Sequence, residues 1–159
     1  TQDRYFGMNA QDSPGTIELL TFRLGEQEYS LDIMSVREIR SWTRATPLPH
    51  APACMRGVIN LRGTVLPVMD LAERLGLPPR REGDRAVIIV VSHGAALTGL
   101  LVDAVSDIVA LTEGDLQPPP DLGHGAGAGM VSALTLIDER MVRVLDLPAT
   151  ITLAEGLAA

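Results

Sequence analysis

The sequence predicts an all-β protein made of two similar units. Three observations carry this. Short runs rich in Val, Ile, Leu and Thr alternate with turns bearing Gly or Asp. Helix signals are few. The chain also repeats itself: Gly25 falls on Gly94, Ile33 on Val102, and Val36-Arg37-Glu38-Ile39 on Val105-Ser106-Asp107-Ile108, each 69 positions on. Residues 19–24 fall on 88–93 at the same spacing. Further along the spacing drifts to 76, where residues 66–71 lie opposite 142–147 and both stretches end in Asp-Leu.

Taken in order, residues 1–15 are polar and without period, and read as a loose tail. Residues 17–24 are the first strand-like run, and residues 25–27 predict a hairpin turn into 29–33. Residues 56–61 and 64–69 flank Arg62-Gly63, a tight hairpin whose Gly accepts positive φ. Residues 86–92 and 98–105 flank His93-Gly94, and residues 131–137 and 140–146 flank Asp138-Glu139. This spacing predicts antiparallel β structure, as a sandwich or as barrels. Asp70 is placed to cap a short helix over 71–75, which stops at Gly76 and Pro78-Pro79. One turn is expected over 52–55, and the Gly/Ala-rich stretch 121–129 reads as a mobile loop. The segment 148–159 is weakly patterned and predicts a short frayed helix. The repeat sets two units at roughly 16–75 and 86–147. Each is small alone, so they should share an apolar interface, and a groove at such a junction is a natural docking site.

Composition narrows the function. The chain has 159 residues, enough to bury a real core, and only 3% are aromatic, so that core must be aliphatic. Stacking platforms for single-stranded nucleic acid are absent. All 13 basic residues are Arg and the net charge is -7, which argues against a phosphate-binding face and excludes a catalytic lysine. A single cysteine, Cys54, excludes an internal disulfide and a cysteine-based metal cluster. The longest purely apolar stretch, residues 86–91, is far short of the roughly 20 residues that span a bilayer. The N-terminus shows no signal-peptide pattern. A cytosolic protein without membrane insertion is expected.

No catalytic constellation emerges. His93 and His124 fall in expected turns and loops. His50 precedes Cys54 by four residues, the one arrangement that suggests a nucleophile pair. Pro49 and Pro52 kink that stretch, and Cys more often packs as a small hydrophobe. Nucleotide-binding loops, nucleophile elbows and zinc motifs are missing. Asp70 and Asp146 read as caps after strands rather than as an acid–base pair. No cofactor or metal is expected. Val36, Ile39 and Val105 fall where the two units meet, and both readings stand for them, core or partly exposed surface. Glu38 and Arg62 decorate the first unit.

The most specific stretch is Arg56-Gly57-Val58-Ile59-Asn60-Leu61-Arg62-Gly63 followed by Leu66-Pro67-Val68-Met69-Asp70-Leu71. With Val36-Arg37-Glu38-Ile39, Pro47-Leu48-Pro49, Gly99-Leu100-Leu101-Val102-Asp103-Ala104-Val105 and residues 140–147, it resembles the CheW family of chemotaxis coupling proteins over about 17–147. The resemblance implies two intertwined, five-stranded SH3-like β-barrels related by a pseudo-twofold, in a stand-alone, non-enzymatic adaptor. It implies as partners the cytoplasmic tip of a chemoreceptor and the regulatory domain of the histidine kinase CheA, with self-association in array rings. The implied receptor groove is Leu20, Ile33, Val36, Ile39 and Val105. The implied kinase contacts are Glu38, Thr46, Gln117 and Leu122, and the implied signalling turn holds Arg62, Gly57 and Gly63. The same scaffold in a pilus or biofilm array, or a ligand-sensing barrel with a closed apolar cavity, are the alternatives. Two departures from the family pattern stand out: Val131-Ser132-Ala133 lacks a Gly, and Pro148 should weaken the final helix.

Overall fold

The structure, a computed structural model, describes residues 16–78, 86–119 and 129–155. In chain order the elements are β1 (Thr16–Leu24), β2 (Gln27–Asp32), β3 (Val36–Ser41), β4 (Met55–Leu61), β5 (Thr64–Asp70), α1 (Leu71–Arg74), β6 (Val87–His93), β7 (Ala96–Val102), β8 (Ala104–Thr112), β9 (Val131–Ile137), β10 (Arg140–Leu145) and α2 (Leu147–Glu155). Single 3-10 turns at Ile33–Ser35 and Glu113–Asp115 follow β2 and β8. The tail expected at 1–15 and most of the loop expected at 121–129 lie outside the described residues.

The strands form two five-stranded sheets, ordered β8-β1-β2-β10-β9 and β3-β6-β7-β5-β4. Shifting every strand by five places turns one order into the other, which is the pseudo-twofold of the internal repeat. Each unit therefore places strands in both sheets: β1 and β2 serve one, and β3, β4 and β5 serve the other. Each sheet also closes. Thr46, beyond β3, exchanges backbone hydrogen bonds of 2.8 and 2.9 Å with Val58 on β4, the opposite sheet edge. Gln117, beyond β8, does the same with Leu134 on β9 at 2.8 Å. The result is two SH3-like barrels, called below the β1 barrel and the β6 barrel.

The hairpins lie where the sequence places them. Arg62 and Gly63 take φ of 50° and 86°, and Asp138 and Glu139 take 50° and 69°. Two consecutive positive φ values are the tight hairpin turn that matches strand twist. Two strands differ from expectation. The run 98–105 breaks at Asp103, whose N–H donates to the Arg23 carbonyl (3.1 Å) and whose carboxylate accepts from the Gly25 N–H (2.6 Å). The chain thereby leaves β7 and starts β8 in the other barrel. Its repeat mate β3 was likewise unforeseen. Its mixture of charged and apolar residues, without alternation, leaves every side chain half-buried or exposed.

Asp70 and Asp146 both act as caps. Their carboxylates accept from the N–H of Glu73 (3.3 Å) and Ala149 (3.1 Å), and their own N–H groups donate to Cys54 and Met130 carbonyls at 2.7 Å. The expected turn at 52–55 is present, closed by Met55 N–H to the Pro52 carbonyl (2.9 Å). Pro148 does not weaken α2. It stands in the first turn, where its missing N–H has no intrahelical partner to lose.

Strand alternation sorts the core into three parts. Leu20, Phe22 and Leu24 of β1 join Leu31, Ile89, Val91, Leu100 and Val102 between the barrels. Ile88 and Val90 face the β6 barrel interior with Ile59, Leu66, Val68 and Leu101. Leu19 faces the smaller β1 barrel interior with Ala133 and Val144. Strand β6 is buried on both faces, which is why its sequence is an unbroken apolar run.

Candidate functional site

The barrel junction is built by the two crossovers. Ile33 lies in the 3-10 turn between β2 and β3, Val36 opens β3, and Val105 lies at the start of β8. All three are partly buried and pack on the inter-barrel core. Register explains how Ile39 joins them. Val36 pairs with Val91, Arg37 is skipped by a bulge, and Ile39 pairs with Ile89. Opposed residues share a sheet face, so Val36 and Ile39 both lie on the side of Ile89 and Val91, the inter-barrel face. A matching bulge in β8 pairs Val105 with Phe22 and Ile108 with Leu20. Ile39 and Ile108 are 47% and 53% exposed, large for aliphatic side chains beside a core. The two strands thus carry twin apolar ledges, Val36/Ile39 and Val105/Ile108.

Leu20 does not belong to this surface. It is 1% exposed, because β1 alternation turns it into the shared core, where it lies beside Ile108 on the neighbouring strand. Ile108 itself was overlooked, although the repeat had already matched it to Ile39.

Glu38 and Arg62 come together. The Arg62 guanidinium hydrogen-bonds the Glu38 carboxylate, and Arg40 donates to the same carboxylate at 3.3 Å. Strand β3 and the β4–β5 turn lie on opposite edges of one sheet, so this pair ties the seam of the β6 barrel. The bond from Arg62 holds the Glu38 carboxyl below the usual carboxylate range. Asn60 orders the turn by accepting from the Gly63 N–H at 2.8 Å.

Gly57 stands apart from that turn, at the start of β4 with φ 137° beneath Thr46. A Cβ there would sit 2.1 Å from the Thr46 carbonyl oxygen. Gly57 therefore belongs with Thr46, whose loop it allows to approach. Gln117 occupies the equivalent place in the β1 barrel, exposed and bridged to Leu134. The bulge at Gly57 recurs there with Ala133 in its position. Leu122 lies outside the described residues.

The two seams differ in charge. Around Glu38, the β6 barrel carries Arg37, Arg40, Arg44 and Arg62. At positions matching Glu38, Arg44, Arg62 and Gly63, the β1 barrel carries Asp107, Glu113, Asp138 and Glu139. One seam is basic and its mate is acidic.

The nucleophile-pair reading gains no support from the geometry. Cys54 is buried and His50 exposed, and burial pushes the Cys54 thiol up, away from the thiolate a nucleophile requires. The cavity reading fares no better. The space at the mouth of the β6 barrel is an open cleft of about 320 Å³ lined by Trp42, Arg44, Met55, Arg56, Val68 and Leu101. Arg56 there is tied to the buried Asp70 at 2.5 Å. Among the described residues, no helix is long and apolar enough to cross a membrane.

Known proteins match this architecture. The family model of the CheW-like domain matches residues 18–155. The "Probable chemotaxis protein CheW" of Rhizobium etli is 48% identical over 145 residues, covering 91% of this chain and 94% of its own. "Chemotaxis protein CheW" of Rhizobium meliloti is 46% identical over the same length and coverage. Among solved structures, the scaffolding protein TtCheW from Thermoanaerobacter tengcongensis superposes with a TM-score of 0.76 at 32% identity, covering 82% of this chain and 88% of that one. With twin barrels, a shared core and a match over nearly all described residues, this chain belongs to the CheW-like family.

Proposed function

We propose that this protein is a non-enzymatic, cytoplasmic adaptor that couples the cytoplasmic tip of a chemoreceptor to the histidine kinase CheA. The observation that carries the reading is the pair of apolar ledges at the barrel junction. A groove flanked by Val36/Ile39 and Val105/Ile108, with Ile33 in the crossover turn, suits an amphipathic helix with anchors at i, i+3/i+4 and i+7. A few aliphatic anchors on a firm core supply most of the affinity in such sites.

The kinase domain meets the protein elsewhere, at Glu38 and Thr46 of the β6 barrel, at Gln117 of the β1 barrel, and at Leu122. The opposed charges of the two seams favour contacts that set a basic seam against an acidic one. Such contacts are head-to-tail, and head-to-tail contacts close into rings when the rotation allows. A second copy of this chain can enter the same ring. Two separate sites let modest affinities combine through effective concentration.

The test is Val36→Glu. A buried-edge carboxylate in the groove should abolish binding of a receptor hairpin in a pull-down while thermal unfolding stays near wild type. Unchanged hairpin binding would refute the groove.

A further inference from the structure

The most exposed large hydrophobic side chain described is Met34, at 84%. It sits in the 3-10 turn Ile33–Ser35, between Ile33 and Val36 of the groove. Its backbone is fixed: the Asp32 carboxylate accepts from the Met34 N–H at 2.9 Å, and the Val36 N–H returns to the Ile33 carbonyl. The turn touches β1 of one barrel and β6 of the other, so the backbone that carries Met34 lies at the junction itself. A thioether this exposed, on a turn closed by two hydrogen bonds, is a flexible and adaptable contact for a helix.

We propose that Met34 is an oxidation site whose state sets how tightly the groove holds its helical partner. This rests on the reading of the groove given above. The step needs only a peroxide. The Met34 sulfur attacks one peroxide oxygen, the O–O bond breaks and an S–O bond forms. The sulfur loses two electrons, and the departing hydroxide takes the proton from the transferred oxygen, leaving the sulfoxide and one water. The product sulfoxide is polar and chiral, and it is reversible by methionine sulfoxide reductases. It would replace an apolar anchor by a group that must be desolvated when the helix docks.

Selectivity follows from exposure. Met55, Met69 and Met130 are buried, and the other exposed methionine described, Met141, is 48% exposed on β10 of the β1 barrel, outside the twin ledges. Bound helix should cover Met34 and leave Met141 open.

The experiment treats the full chain with hydrogen peroxide, with and without receptor hairpin. Oxidation is read by peptide mass spectrometry, and hairpin affinity is measured before and after. Met34 should oxidise ahead of the three buried methionines, and hairpin should slow its oxidation but not that of Met141. Affinity should fall severalfold on oxidation, and a sulfoxide reductase should restore it. In Met34→Leu the hairpin affinity, whatever its starting value, should not change with peroxide, whereas Met34→Gln should bind weakly without peroxide. If Met34→Gln binds like wild type while Val36→Glu does not, the oxidation proposal fails and the groove stands. If both bind like wild type, the groove fails and the proposal with it.

Discussion

Glu38 shows what one side chain can do at a barrel seam. It receives Arg62 from the far sheet edge and Arg40 from its own strand, and its carboxyl is held below the usual range chiefly by the Arg62 hydrogen bond. The linkage sign is therefore fixed. The pair stabilises the fold above the ordinary carboxylate pKa and loses that effect as pH falls through the lowered folded value. Unfolding of wild type and Glu38→Gln should differ at neutral pH and converge in acid; a difference independent of pH would contradict the pairing. Arg62 is exposed and salt screens it, so the stability effect is small. The larger consequence is a seam held in one shape for a partner. The glutamate and the arginine were both legible in the sequence, but their contact was not. It depends on closing the sheet, which brings residues 24 positions apart together.

Strand β4 and the loop above it work as one element. Gly57 has φ 137° and no room for a Cβ under the Thr46 carbonyl, so Gly57→Ala should cost about 1–3 kcal/mol and lift the loop through Thr46. Chemical denaturation should show the loss, and kinase binding should weaken more than hairpin binding. A neutral substitution would mean that the loop is not held there. The hairpins around Arg62-Gly63 and Asp138-Glu139 were readable because short turns have local chemistry. Strands β3 and β8 were not, for a physical reason. A bulge sets Val36 and Ile39, like Val105 and Ile108, three residues apart on one face, which breaks the period of two that betrays a strand. The same bulge made Ile108 easy to pass over. Leu20, placed in the groove by the resemblance alone, is buried in the shared core, and an apolar residue in a strand looks alike in sequence whether it faces a groove or the core.

At the scale of the molecule, neither barrel is independent. The largest apolar cluster lies between them and draws on β1, β2, β6 and β7. Phe22, fully buried on β1, should therefore report on both. Phe22→Ala should cost about 3–5 kcal/mol. Fluorescence of Trp42, the single tryptophan and part of the β6 barrel, should shift in the same transition as circular dichroism. Separate transitions would show two autonomous barrels. The repeat foretold two units, but the exchange of strands between them is invisible in a repeat, because swapped and unswapped chains carry the same sequence symmetry.

The central claim is that a shared core presents one groove to a receptor helix while the seams engage the kinase. The most direct measurement is autophosphorylation of CheA reconstituted with receptor fragments, with and without this protein. Activation should require wild-type protein and should be lost with Val36→Glu and with Ile108→Glu, its mate on the other ledge. Equal kinase activity without the protein, or full activation by both variants, would contradict the claim.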